Sequence, residues 1–411
     1  MLSDEQVFFL RVLKDHLAEN GTTVSEAEKR LDWAAIAHYA DIHKVGGIVY
    51  AQCRSFLDHS GVPEAASLKT TYKGSIARSV YQSVILEQID AAFKSDAIPY
   101  FVVKGPEIAK LYPVPELRTM GDLDIVVHRE DKERAHECLL RAGFRGEKDF
   151  PNEWFYHIVY FGMDVEVELH HSLLYDSETT PRAYAEYEKT IWEHTTVSSG
   201  GGVSYGMDDH LIFLLLHLRM HILATGIGLR QFFDIAVVVK NCEIDYARVL
   251  SVLASMNAEA FAKTCFSFLY RWFGVRAGCD FEDVSDAFFD KATNQLFSNG
   301  VFGFDDPENS ANHAKKLVIQ QGNTKFGRVR VFLRRLFPPY ALLRGSMLYR
   351  FLDGRPYLLP IAWIKRFCRS IANKTVTRSM NITKECLTVS DERIREQEQY
   401  FLNWGIDVRN L

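Results

Sequence analysis

Gly121-Asp122-Leu123-Asp124-Ile125-Val126-Val127 is the stretch on which the fold turns. Two aspartates alternate with apolar residues, and the run ends in β-branched side chains. Alternation with period 2 belongs to a strand, so both carboxylates leave one face with their Cα atoms about 7 Å apart. At that spacing the side chains can converge on a common ion. Mg²⁺ takes hard oxygen ligands, usually one or two carboxylates completed by substrate phosphates. Two such metals about 3.5–4 Å apart stabilise both the attacking and the leaving oxygen of a phosphoryl transfer. A strand opening on Asp-x-Asp therefore points to metal-assisted phosphate chemistry, and a solvated strand face is the plain alternative.

Upstream, Pro99-Tyr100-Phe101-Val102-Val103 is a short apolar run that reads as a preceding strand. Lys104-Gly105-Pro106-Glu107 then reads as a strand-to-helix turn, with proline at a first helical position. A helix N-terminus suits phosphate, glycine lets the backbone approach closely, and Lys104 supplies a point charge. Alone this tripeptide is an ordinary turn; its place ahead of the Asp-x-Asp strand gives it weight. Arg118, four and six residues before the aspartates, is expected either to bind a phosphate or to form a structural salt bridge.

Downstream, 123–128 reads as the strand and 130–142 as a helix stopped by Gly143. Two more strands, 156–161 and 165–169, are joined at Gly162-Met163. Asp164-Val165-Glu166-Val167-Glu168-Leu169-His170 puts three carboxylates on one strand face. Glu168 is the expected third metal ligand, with Glu166 second and His170 placed to support it.

Around this unit the pattern is helical. Residues 1–95 carry helical stripes, including a helix over about 76–95. From Asp208 onward, helices are expected near 229–240, 246–256 and 258–273. The fold class is α+β, a small mixed β-sheet core flanked by helices. The boundaries read as an N-terminal helical segment 1–95, a core 96–200, a helical domain 201–324 and a basic helical segment 325–411. His217 and His221 stand at i, i+4 without the glutamate of a zinc motif, so packing is the simpler reading. Arg230 and Asp234 make a helix ion pair, or Arg230 faces the nucleotide.

The chain has 411 residues and formal net charge −5, so as a whole it does not read as an electrostatic nucleic-acid binder, and any such role would rest on a local basic patch. Its seven cysteines are scattered with no C-x-x-C pair, which fits a reducing cytoplasm and neither a disulfide framework nor a zinc site. No signal peptide or membrane span is apparent. Charge is concentrated late: 325–378 holds 13 Lys and Arg against one acid, Asp353. That segment reads as a solvated helical surface, a helix lying on a membrane, or a contact for an anionic acceptor.

Phe101-Val102-Val103-Lys104-Gly105, Leu111-Tyr112-Pro113, Arg118-Thr119-Met120-Gly121-Asp122-Leu123-Asp124 and Glu168-Leu169-His170, in that order, resemble the uncharacterised bacterial nucleotidyltransferase family of the polymerase-β-like superfamily. The resemblance covers about residues 25–240, including His217, His221, Leu229-Arg230 and Asp234. It implies transfer of a nucleoside monophosphate from a nucleoside triphosphate such as ATP to an acceptor hydroxyl on a protein, RNA, sugar or small molecule. It also implies Mg²⁺ or Mn²⁺ on Asp122, Asp124 and Glu168, with Lys104 and Gly105 at the phosphate turn. Lys-Gly replaces the Gly-Ser usual in the wider superfamily. Two alternatives follow: a nucleotide-binding sensor or scaffold without turnover, and a peripheral-membrane adaptor in a polysaccharide pathway.

Overall fold

The computed structural model describes residues 1–146, 157–173, 182–197, 202–224, 227–299, 315–344, 347–372, 384 and 387–410. Residue 156 and the end of the basic segment, 373–378, lie outside them. At the centre is a four-stranded sheet of β1 (Tyr100–Val103), β2 (Asp122–Val127), β3 (His157–Gly162) and β4 (Val165–His170), ordered β1-β2-β4-β3. β1 runs antiparallel to β2, β2 parallel to β4, and β4 antiparallel to β3. A parallel neighbour cannot be reached by a tight turn. The chain crosses over through α6 (Lys132–Arg141) and returns through the β3–β4 hairpin. The hairpin turn is Met163-Asp164, with φ of 48° and 64°. Two positive φ values fit the primed turns that match strand twist. The turn lies one residue later than the sequence suggests, because Gly162 still pairs with Val165. His157 therefore stands opposite His170.

The architecture is α+β, with helices before and after the sheet. One sheet face carries Leu123, Ile125, Val127, Val165, Val167 and Leu169. These bury against Ile85, Ile89 and Phe93 of α4 (Ala65–Ser95) and against Ala135 and Leu139 of α6. On the other face, Phe101, Val103 and Val126 join a large core. That core also takes in α1 (Asp4–Leu17), α2 (Trp33–Ile42), α3 (Gly46–Leu57), α7 (Arg182–Thr190), α8 (Met207–Ala224), α9 (Leu229–Asn241), α10 (Tyr246–Ser255) and α11 (Glu259–Phe273). Period 2 assigns Asp122 and Asp124 to this second face.

Helix α4 is 31 residues long and begins about a turn and a half past Ser60, well before the stripe read at 76–95. Its buried side changes partner along its length: Leu68 belongs to the core containing α3, whereas Ile85, Ile89 and Phe93 pack on the sheet. No single stripe marks such a helix, since tertiary packing rather than propensity holds most helices together. Among the described residues, no helix is long and apolar enough to cross a membrane.

The loop entering β2 is clamped from two sides. From α4, Arg78 donates through Nε to the Met120 carbonyl at 2.8 Å and through Nη2 to the Gly121 carbonyl at 2.5 Å, and Gln82 reaches Met120 O at 3.3 Å. From α9, Asp234 accepts from Arg118 Nε at 2.8 Å, Arg118 Nη2 at 2.9 Å and the Tyr112 hydroxyl at 2.6 Å, all buried. Removing one partner of a buried ion pair strands the other charge and costs about 3–5 kcal/mol, more than the pair itself contributes. Asp234→Ala is therefore expected to lower unfolding free energy in urea by about 3–5 kcal/mol, and Arg118→Leu/Asp234→Leu to recover part of that loss. A single variant within about 1 kcal/mol of wild type would mean that the pair behaves as a surface contact.

Candidate active site

β2 and β4 set the site by their register: Asp122 lies opposite Glu166, Asp124 opposite Glu168, and Val126 opposite His170. Neighbouring strands are about 4.8 Å apart, so the Asp124 and Glu168 side chains rise together from one face. One oxygen from each of Asp122, Asp124 and Glu168 lies within 4.8 Å of the others. Glu166 shares the face but is outside this group. Asp124 is buried, while Asp122 and Glu168 keep partial exposure.

β1 brings the cation. Val103 is opposite Asp124, so Lys104 leaves the strand end beside it, with Nζ 3.2 Å from Asp124 Oδ1. The Lys104 backbone adopts φ 53° and ψ −124° as it enters α5 (Gly105–Ala109). Residues other than glycine avoid that region, and such strain, of about 1–3 kcal/mol, persists where surroundings impose it. Here Nζ is held between Asp124 and the Phe213 ring of α8, 5.1 Å from its centroid. Gly105 is under no such demand. A Cβ there would meet Met120 Sδ at 3.4 Å and the Asp122 carbonyl at 3.8 Å, ordinary contacts.

His170 closes the other side. Its Nε2 lies 3.1 Å from both Asp124 Oδ1 and Glu168 Oε2. His157 Nε2 is 3.7 Å from Glu168 Oε1, and His157, Glu168 and His170 form a second group with ligand atoms within 4.8 Å. His157 was not singled out in the sequence, where a hairpin turning at Gly162-Met163 sets it opposite Glu168; the turn one residue later brings it opposite His170.

Burial pushes each carboxyl of this cluster up, and the neighbours decide the outcome. For Asp124, Lys104 and the His170 hydrogen bond outweigh burial and hold it far below the usual carboxylate range. Glu168 is likewise held low by His170 and His157 against burial. Asp122 has no comparable partner; burial and then Asp124 raise it. Burial works against charge on His170, yet its bonds to Asp124 and Glu168 raise its pKa. Lys104 and the His170 bonds thus favour the ionised forms of Asp124 and Glu168, and Asp122 completes the group at the partly exposed side.

The donor set fits a hard divalent ion. An octahedral Mg²⁺ with bonds of about 2.0–2.1 Å places neighbouring oxygens roughly 3 Å and opposite ones roughly 4 Å apart. Oxygens already within 4.8 Å of one another close onto such an ion by small side-chain rotations. Lys104 shows that a cation sits against Asp124 on this face.

The remaining expected residues separate from the cluster. Arg118 is spent on Asp234, the structural branch of its two readings, and the Arg230 Nη1 also faces Asp234 at 3.7 Å. His217 and His221 of α8 pack edge to face with centroids 4.5 Å apart. Burial and then the Lys104 charge push both down, His221 to about 4. Neither belongs to a ligand group among the described residues.

If the turn between β1 and α5 imposes the Lys104 backbone, any Cβ there carries a penalty whatever lies beyond it. Lys104→Ala keeps the Cβ penalty and leaves Asp124 without its ammonium, whereas Lys104→Gly sheds the penalty. Lys104→Gly is expected to be more stable than Lys104→Ala by about 1 kcal/mol or more, reversing the usual ranking at exposed turns. Equal denaturation midpoints would show that the conformation is unstrained.

The family model described as "Uncharacterised nucleotidyltransferase" matches residues 29–274. No curated protein and no solved structure matches the chain. The matched span is more than half of the 411 residues. It contains the whole sheet, Lys104, Asp122, Asp124, Glu168 and His170, and runs from α2 to the end of α11. The chain thus belongs to the uncharacterised nucleotidyltransferase family, and nucleotidyl transfer is the class of function that this membership carries.

Proposed function

We propose that this protein is a Mg²⁺- or Mn²⁺-dependent nucleotidyltransferase of the polymerase-β-like kind, moving a nucleoside monophosphate from a nucleoside triphosphate to an acceptor hydroxyl. The observation that carries the reading is the convergence of Asp122, Asp124 and Glu168 within 4.8 Å, inside the span that matches the family. Asp122, Asp124 and Glu168 would hold the metal. Bound there, the ion would neutralise charge on the phosphate oxygens and orient the triphosphate.

The chain's own side chains prepare that step. His170 binds Asp124 and Glu168 at once and fixes the two carboxylates relative to each other. Lys104 balances Asp124 in the protein alone, and its ammonium is the point charge available to a triphosphate once a metal takes over the carboxylate. Gly105 leaves the turn beside it without a side chain. The acceptor hydroxyl oxygen attacks the α-phosphorus in line, its bond to phosphorus forming as the bond to the bridging oxygen breaks; pyrophosphate leaves with that electron pair, and the hydroxyl proton is released to solvent. Positioning and charge stabilisation supply most of the rate in such transfers. The six described cysteines are unpaired thiols, which suits the reducing cytosol in which we place the reaction.

The test is incubation with each α-labelled nucleoside triphosphate and Mg²⁺ in lysate, asking which molecule keeps the label. Wild type should transfer label and lose the activity to EDTA. Asp122→Asn/Asp124→Asn should lose it by about 100-fold or more while its thermal unfolding stays cooperative. Wild-type transfer by that variant would end the proposal.

A further inference from the structure

Eleven of the twenty-four large apolar side chains left exposed among the described residues fall between 326 and 371. The stretch 325–372 carries eleven Lys and Arg and one acid, Asp353, a formal charge of +10 in a chain whose total is −5. Apolar exposure and positive charge thus coincide in one part of the molecule, away from the matched family span.

The stretch has a small core of its own. Leu343, Tyr349, Leu352 and Ala362 are buried together, with Trp363 packed on them. The helix Leu359–Ala372 is pinned to this unit by three bonds. Trp363 Nε1 donates to Pro338 O at 2.9 Å, Lys365 Nζ to Leu348 O at 2.8 Å, and Arg366 Nη1 to Arg335 O at 2.7 Å. Pinned in this way, it turns Ile361, Ile364, Phe367 and Ile371 outward at 54%, 63%, 57% and 54% exposure. At 100° per residue those four span roughly a third of the helix circumference, with Lys365, Arg369 and Arg366 following on one side. The helix Lys325–Leu336 repeats the plan: Phe326, Val329, Leu333 and Leu336 are exposed at i, i+3, i+7 and i+10, with Arg330 and Arg334 alongside.

We propose that these two helices dock on the surface of an anionic lipid bilayer, their apolar rows entering the headgroup boundary and their arginines meeting lipid phosphates. An exposed apolar stripe bordered by Lys and Arg is the composition of helices that lie in a membrane interface. Basic residues near an anionic leaflet add attraction that falls off within a Debye length. Six of these eight side chains are aliphatic and offer nothing to a nucleic acid, whose bases stack on aromatic rings. A second copy of the chain would bring +10 against +10. The inference does not depend on the nucleotidyl-transfer reading.

The test is flotation of the full chain with phosphatidylcholine vesicles, with and without phosphatidylglycerol. Wild type should float with the anionic vesicles, stay down with the neutral ones, and be released by high salt. Ile361→Ser/Ile364→Ser/Phe367→Ser and Arg330→Gln/Arg334→Gln/Arg369→Gln should each weaken flotation by about tenfold or more. All six positions are exposed, and unchanged thermal unfolding would show that the fold is kept. Asp122→Asn/Asp124→Asn should float as wild type does, separating this proposal from the catalytic one. Wild type staying down with both vesicles would overturn it. So would retention of RNA in a gel shift, or dimerisation abolished by the isoleucine variant, if either occurs without flotation.

Discussion

Everything at the centre of this molecule follows from concentrating negative charge on one face of a short sheet. Three carboxylates within 4.8 Å, one of them buried, repel one another and cannot persist unneutralised. The fold answers with the Lys104 ammonium from the end of β1 and with the His170 ring from the end of β4, whose pKa its bonds to Asp124 and Glu168 raise against burial. Both come from strands adjacent to β2, so the strand order β1-β2-β4 is an electrostatic arrangement as well as a hydrogen-bonded one. The price appears as a strained backbone at Lys104, where a glycine would have sat without penalty.

A second constraint keeps this cluster in place. The loop into β2 carries no regular structure beyond one short 3₁₀ turn, yet its position decides where Asp122 begins. Arg78 and Gln82 hold its carbonyls from α4, and Asp234 holds Arg118 and Tyr112 from α9. The helical parts before and after the sheet thus meet at the residues just ahead of the aspartates. Long helices packed in one core with the sheet give those anchors rigidity that a loop on the surface would lack.

Much of this was legible in the residues. Period 2 in Asp122-Leu123-Asp124 and in Val165-Glu166-Val167-Glu168 gave the two central strands and the face of each carboxylate. Pairing β2 with β4, which turns two separate patterns into one cluster, is a tertiary fact with no local signal. The same limit hid Arg78, whose target carbonyls are 42 and 43 residues away, and it hid the first half of α4, which packs on a different partner from the second. Arg118 shows the reverse case. Its spacing from the aspartates suggested a phosphate ligand as readily as a salt bridge, and a buried acid 116 residues downstream claims it. Sequence spacing names the residue types near a site, but competition among buried partners decides which of them remain available to a ligand.

Lys104 and Arg118 make that competition concrete. Both are cations within reach of Asp122 and Asp124 along the chain. Arg118 is fully enclosed and doubly bonded to Asp234, so freeing it would leave a buried carboxylate unpaired. Lys104 keeps 18% of its side chain exposed and makes one contact with Asp124, at 3.2 Å. A divalent ion that replaced the ammonium at Asp124 would leave no buried acid orphaned, because the ion itself takes the carboxylate. The arginine is therefore fixed architecture, and the lysine is the less committed of the two cations.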